Sequence, residues 1–321
     1  MRSAVAPTEV AVQGAGSQSV WQRQARKIRA SKYLLLLVLP GFVWYVIFQY
    51  IPMYGVTIAF KDFSLRQGVL GSPWVGFDSF IRFFNYPHFW GLIRNTFLLS
   101  FYTMLFGFPA PIIFALALNE VVNRTYQRTV QTVSFLPHFI AMPAVVGMLV
   151  LALSPSTGFV NAILVAFGIE PIYFMIKPRW FRPIYVISDI WQNVGWGAII
   201  YLAQLSRVDP ELYESATVDG ASRLRKMWHI SLPALTPVIS ILLILRIGAL
   251  LSVGGEKVLL MYNDLTLETA DVIWTYVYRR GLLRQEFSYG AAVGLFNSVV
   301  SLVLVVLANT AAKRFTGYRL W

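Results

Sequence analysis

Six long apolar stretches, separated by shorter polar ones, run along the 321 residues. They cover roughly 33–52, 91–118, 132–153, 183–205, 234–254 and 289–311. An α-helix needs about 20 mostly apolar residues to cross a bilayer, and the pattern predicts six such helices. Pro40, Pro109, Pro111, Pro137, Pro143 and Pro237 lie inside or at the ends of these spans. Proline is tolerated there when local distortion and neighbouring helices re-satisfy the freed carbonyls. The first span is expected to be uncleaved, because its apolar run exceeds a signal-peptide core and no small-residue cleavage site follows.

Composition agrees. Hydrophobic residues make up 57% of the chain and charged residues only 13%, against about 25% charged in a soluble domain. Aromatic residues at 15% exclude a disordered polymer. The chain has no cysteine, which removes disulfides and thiolate chemistry. His88, His138 and His229 are far apart and form no metal-ligand spacing, so no metal site is expected.

The net charge of +12 would suggest a polyanion partner in a soluble protein. In a membrane protein it sets orientation. The N-terminal tail, the loops 119–131 and 206–233 and the C-terminal tail hold fifteen Lys and Arg against six acids, a net +9. The three other loops hold ten against eight, a net +2. The first side is therefore expected to be cytoplasmic, with both termini inside, and nucleic acid is not an expected partner. This divides the chain into a basic tail (1–32), a six-helix domain (33–311) and a short C-terminal tail (312–321). In the loop 53–90, the aromatic run at 77–90 suggests an amphipathic helix at the membrane interface, or a sugar-stacking surface.

No phosphate loop is present, since Gly-Lys never occurs, and neither GxSxG nor HExxH is found. The chain is expected to be non-catalytic. The loop 206–233 is more informative. Asp209-Pro210 reads as an N-cap followed by proline at the first helical position. Gly220 then breaks the helix, a second short helix follows through Trp228, and Leu232-Pro233 leads into span five. Such a helix–turn–helix is either a docking knob or a solvated connector.

The same segment resembles the EAA loop of ABC importer permeases. Glu214-Ser215-Ala216, three residues, Gly220, nine residues and Ile230-Ser231-Leu232-Pro233 meet the spacing, with Ser215 where a second alanine usually stands. The resemblance continues through Phe135-Leu136-Pro137-His138-Phe139, Trp191-Gln192-Asn193-Val194-Gly195-Trp196, DVIWTYVYRRGL (271–282) and FSYGAAVGLFNSVV (287–300). These are similar to the oligosaccharide and polysaccharide-fragment branch of the maltose-permease-like carbohydrate uptake family. The resemblance implies an all-α, type I importer permease fold in the bacterial inner membrane. It implies a second homologous permease, two ATPases that bind ATP and Mg, and an extracytoplasmic solute-binding protein; this chain itself needs no cofactor. Glu214, Ser215, Ala216, Gly220, Ile230, Leu232 and Pro233 would couple to the ATPase. Arg223, Arg225 and Lys226 either pair with it or serve as ordinary cytoplasmic charges.

Ionisable groups inside spans are functional candidates by default. Asp189, Gln192 and Asn193 share a helix face, and Trp191, Trp196, Arg246 and Asn297 lie in spans four to six. Amides and charges suit sugar hydroxyls and acids, and indole faces suit sugar rings. The structural alternative is helix-to-helix glue, including an Asp189–Arg246 pair. Gly290 and Gly294 suggest a small-residue packing patch. The expected function is import of oligosaccharides, including acidic fragments such as alginate or pectin oligomers. The alternatives are an ABC permease for a non-sugar solute, a membrane enzyme acting on lipid-linked sugars, and an ion-driven transporter.

Overall fold

The computed structural model describes residues 31–253 and 255–316. The basic tail up to residue 30 and the last five residues lie outside the described residues. The described residues up to 56 form one unit and those from 57 onward another. The described residues are helical throughout, apart from an isolated antiparallel bridge between Lys61 and Trp74.

The first unit contains α1 (Lys32–Tyr45). The labelled elements of the second begin with α2 (Asp78–Phe84), α3 (Phe89–Tyr102), α4 (Pro109–Asn119), α5 (Arg124–Phe135), α6 (Met142–Ala152) and α7 (Phe159–Ala166). They continue with α8 (Pro178–Leu205), α9 (Pro210–Val218), α10 (Arg223–Lys226), α11 (Leu232–Gly248), α12 (Gly255–Met261), α13 (Ile273–Val277) and α14 (Phe287–Thr316).

Four helical runs are long and apolar enough to cross a membrane: Lys32–Phe60, Phe89–Asn119, Arg223–Gly248 and Phe287–Arg314. They match predicted spans one, two, five and six. Three of them contain a π-turn, Val46–Tyr50, Thr103–Gly107 and Met227–Ser231. Each ends two residues before a proline: Pro52, Pro109 and Pro233. A proline lacks an N–H and presses on the carbonyl four residues back. That carbonyl lies inside the π-turn in all three cases, where the coil is wider and the helix can run on. Leu232-Pro233 leads into predicted span five as expected, with α10, the π-turn and α11 forming one continuous helix from Arg223 to Gly248.

Predicted span three is broken. α5 with the following 3-10 turn meets α6 at 102°, because Pro137 and Pro143 bracket extended Ile140 and Ala141. Predicted span four falls on α8, 28 residues long and about 42 Å at 1.5 Å per residue, which is not among the helices apolar enough to cross a membrane. Asp189, Gln192 and Asn193 make it less apolar than the other long helices.

Three hydrophobic clusters hold the second unit. In the first, Phe181, Ile184, Tyr185 and Val186 of α8 pack on Leu99, Val146, Val258 and Met261. In the third, Ala198, Tyr201 and Leu205 at the other end of α8 pack on Ile112, Ala115, Leu116 and Leu235. Thus α8 ties both regions together. Gly195 permits its contact with α5, since a Cβ there would overlap the Ser134 backbone. The second cluster joins α2 and α3 to α13 and α14. Phe83 of the aromatic run is fully buried there against Phe89, Tyr276, Tyr289 and Phe296. Of the run 77–90, where one amphipathic helix was expected, residues 78–84 form α2 and α3 begins at Phe89 after a turn, with Phe83 in the protein core and Ile81 and Phe84 exposed. Of the glycine pair, Gly290 packs directly on Gly281, whereas Gly294 faces open space.

Candidate functional site

The segment 206–233 forms a closed helical knob. Asp209 Oδ1 accepts from the Glu211 N–H at 3.0 Å, capping α9 as its sequence predicts. At the other end Gly220 has φ +75°. The Ala221 N–H donates to the Ala216 carbonyl at 2.9 Å and the Gly220 N–H to that of Thr217 at 3.1 Å. This paired closure is the Schellman arrangement, and it requires a left-handed residue where Gly220 stands. Ser222 then caps α10 by accepting from the Arg225 N–H.

Two side-chain bonds pin the arms together. The Tyr213 hydroxyl meets Ser231 Oγ at 2.9 Å, and Lys226 Nζ donates to Thr217 Oγ1 at 3.1 Å. Glu214 and Ser215 are exposed, Ala216 is half-buried, Ile230 and Leu232 are half-buried, and Pro233 is exposed. Val218 at the tip is 90% exposed, with Leu212, Leu224 and Trp228 also open. An apolar tip on a stiff turn suits insertion into a partner's cleft.

The second region is a polar cavity of about 330 Å³ lined by Asp189, Arg246, Glu256, Lys257, Tyr185 and Ser100, among others. Asp189 and Arg246 therefore meet at one cavity, as their span positions suggested. The ion pair is a different one: Lys257 Nζ lies 3.9 Å from Asp189 Oδ1. It also donates to the Tyr185 carbonyl at 3.2 Å and sits 4.7 Å from that ring's centroid. Among the described residues Arg246 makes no ion pair. Ser100 anchors the far wall by donating to the Leu250 carbonyl.

Beside the cavity the α8 row continues. Asn193 Nδ2 donates to Asp189 Oδ1 at 3.1 Å, and His138 Nδ1 donates to Asn193 Oδ1 at 2.9 Å. The His138 ring stacks on Trp196 with centroids 4.5 Å apart. Gln192 is buried, and its Nε2 donates to the Ile140 carbonyl at 3.3 Å, satisfying an acceptor freed by the break between α5 and α6. Its Oε1 has no partner. Trp191 is not part of this row. It lines an apolar cavity with Leu149, Phe174 and Trp180, because two residues along a helix is about 200° around it. Asn297 lies on α14 with a buried, unpartnered Oδ1, away from the cavity lining.

Lys257 and Glu256 escape the sequence reading. They follow the end of span five, where periodicity assigns an outer loop, and Gly255 (φ +37°) lets the chain fold back as α12. A Glu-Lys pair set directly after Gly254-Gly255 is the available signal. Among the described residues no group of His, Cys, Asp and Glu could hold a metal.

Residues 107–317 match the model of the family described as "Binding-protein-dependent transport system inner membrane component". The polygalacturonan/rhamnogalacturonan transport system permease protein YteP of Bacillus subtilis is 46% identical over 90% of both chains. Protein LplB of the same organism is 47% identical, covering 90% of this chain and 91% of that one. Among solved structures, a bacterial ABC transporter involved in the import of the acidic polysaccharide alginate superimposes with TM-score 0.85 and 44% identity. That match covers 92% of this chain and 99% of that one. A bacterial alginate ABC transporter in complex with an alginate pentasaccharide-bound periplasmic protein gives 0.86 and 43%, over 93% and 100%. By the extent of these matches, the chain belongs to the family of inner-membrane components of binding-protein-dependent transport systems.

Proposed function

We propose that this chain is the permease subunit of an ATP-driven importer for acidic oligosaccharides. It crosses the membrane six times with both termini in the cytoplasm, and it pairs with a second, homologous permease. Two ATPase subunits hold ATP and Mg, and an extracytoplasmic binding protein delivers the sugar. The relatives named for polygalacturonan and rhamnogalacturonan, and the alginate importers, support the substrate class.

The observation that carries the mechanism is the course of α11. It leaves the coupling segment at Leu232 and brings Arg246 to the polar cavity, about 21 Å along the axis. Glu214, Ser215, Ala216 and Gly220 present the knob to the ATPase cleft. Ile230, Leu232 and Pro233 join that knob to α11. Closure of the ATPases pushes on the knob, and α11 carries the displacement to the cavity wall. There Asp189 supplies a polar contact for the passing sugar, and Gln192, Asn193 and Trp196, farther along α8, continue the path beyond the cavity, with Asn297 on α14 outside its lining. Arg246, having no ion pair among the described residues, receives the sugar carboxylate. Trp191 supports this helix from its other side.

The test is uptake of trigalacturonate and of its methyl ester into liposomes carrying the assembled transporter. Arg246→Ala is expected to raise KM for the acid about tenfold and leave the ester within about twofold, the tenfold corresponding to about 1.4 kcal/mol. Equal loss for both sugars, or loss of assembly, would make Arg246 a packing residue. Failure of the wild type to take up either sugar would sink the substrate assignment.

A further inference from the structure

Ten Lys and Arg lie in the loops assigned to the outer side, and four of them, Lys257, Arg279, Arg280 and Arg284, belong to the segment 255–288. Orientation by charge does not call for cations there. The structure gathers the three arginines around one cavity of about 320 Å³, together with Tyr86, Tyr276 and Leu283. That cavity shares no lining residue with the one at Asp189 and Arg246.

The backbone that carries the three arginines is fixed. They sit on and just after the π-turn Tyr278–Leu283. The turn is closed by the Arg284 N–H to the Arg279 carbonyl and the Glu286 N–H to that of Arg280, both at 3.1 Å. Gly281 packs against Gly290 of α14 and fixes the turn in place. Asp271 takes Arg279 Nη2 at 2.6 Å, while Glu286 takes Arg280 at 3.2 Å and Arg82 at 3.3 Å. Four arginines thus face two carboxylates, and Arg284 is exposed with no ion pair among the described residues. Arg279 Nη1 and Arg280 Nε are buried donors that find no acceptor. Burial, then the bond to Tyr289, raises the Tyr276 phenol above its ordinary pKa, and burial does the same for Tyr86. Both remain neutral hydroxyls at physiological pH.

Guanidinium forks suit carboxylates, and tyrosine faces suit the apolar side of a sugar ring. The volume is at the lower end of the range for small-ligand sites, about 300–1,000 Å³, which fits one sugar unit. With Leu283 as the single aliphatic wall residue, there is no groove for an acyl chain. We propose that Arg280, Arg284 and Tyr86, with the buried Tyr276 packed against Tyr86, form an outer site that captures one uronic acid unit of an acidic oligosaccharide. This rests on the reading of the chain as an acidic-sugar permease with segment 255–288 outside. The site would hold the anionic chain before it reaches the cavity at Arg246.

The experiment is equilibrium binding to the assembled permease–ATPase complex in phosphatidylcholine nanodiscs. The probes are trigalacturonate and its methyl ester, read by saturation-transfer NMR and titration calorimetry. Wild type is compared with Arg284→Gln, which breaks no ion pair seen here, and both are repeated in an Arg246→Ala background so that the inner cavity does not mask the result. Arg284→Gln is expected to weaken acid binding at least tenfold in that background and to leave the ester unchanged. The proposal is overturned if acid and ester bind alike, if Arg284→Gln changes nothing, if no acid binds, or if added phosphatidylglycerol displaces the sugar. Liposome uptake by the wild type separates the two readings: uptake of acid with unchanged outer-site binding in Arg284→Gln removes this site alone, whereas no uptake of either sugar removes the importer reading.

Discussion

Asp189 is the acid that stands inside a predicted span, and Lys257, a side chain only 4% exposed, lies 3.9 Å from it. Removing Lys257 leaves Asp189, 22% exposed, without its counter-charge, a cost of about 1–3 kcal/mol. Lys257→Met should therefore lower the thermal stability of the solubilised permease more than the double variant Lys257→Met/Asp189→Asn does. A double-mutant cycle measured by thermal unfolding checks this; strictly additive losses would mean that the 3.9 Å pair carries no coupling. Helical spacing alone made Asp189, Gln192 and Asn193 legible as one face, because 3.6 residues complete a turn, and the structure adds Trp196 through His138. Proximity in sequence wrongly suggests Trp191 as their neighbour. The same 100° per residue sends it to an apolar wall. Lys257 was not legible, since hydropathy reports how apolar a segment is and not where a polar segment folds back.

Among the elements, predicted spans one, two, five and six coincide with helices long and apolar enough to cross a membrane, and the prolines were visible in the sequence. The consequence of each proline was not. Pro137 and Pro143 break a span, whereas Pro52, Pro109 and Pro233 follow π-turns that keep theirs continuous. The difference is whether the preceding turn can widen, which depends on packing and not on composition. Glycines divide in the same way. Gly195→Leu should drive α8 off α5, because its side chain would enter the Ser134 backbone, and should cost stability on the scale of an overpacked core, about 1–3 kcal/mol. Gly294→Leu, with open space around it, should stay near wild type. Detergent-solubilised thermal unfolding of both compares them directly, and equal losses would contradict the close approach at Gly195.

Across the whole second unit, two helices join the knob region to the cavity: α8, from the first hydrophobic cluster to the third, and α11, from Leu232 to Arg246. The link can transmit force only if the knob is stiff. Gly220 at φ +75° is therefore the position to test. A left-handed alanine costs about 1–2 kcal/mol, so Gly220→Ala should loosen the Schellman closure and lower sugar-stimulated ATPase activity in liposomes severalfold, with assembly retained. Gly220→Asn should lie between alanine and wild type, since asparagine accepts that conformation more readily. An alanine variant with full coupling would separate the turn from force transmission. The π-turns give this link a further property. Each holds about one residue more than an α-turn, so straightening one to α-helix rotates everything beyond it by about 100° and moves it about 1.5 Å along the axis. Met227–Ser231 lies between the knob and Arg246, and Thr103 of the turn Thr103–Gly107 lies on the cavity wall. These helices thus carry phase as well as push. A change of one turn can replace the face that a helix shows to the cavity while the rest of its hydrogen-bond ladder stays intact.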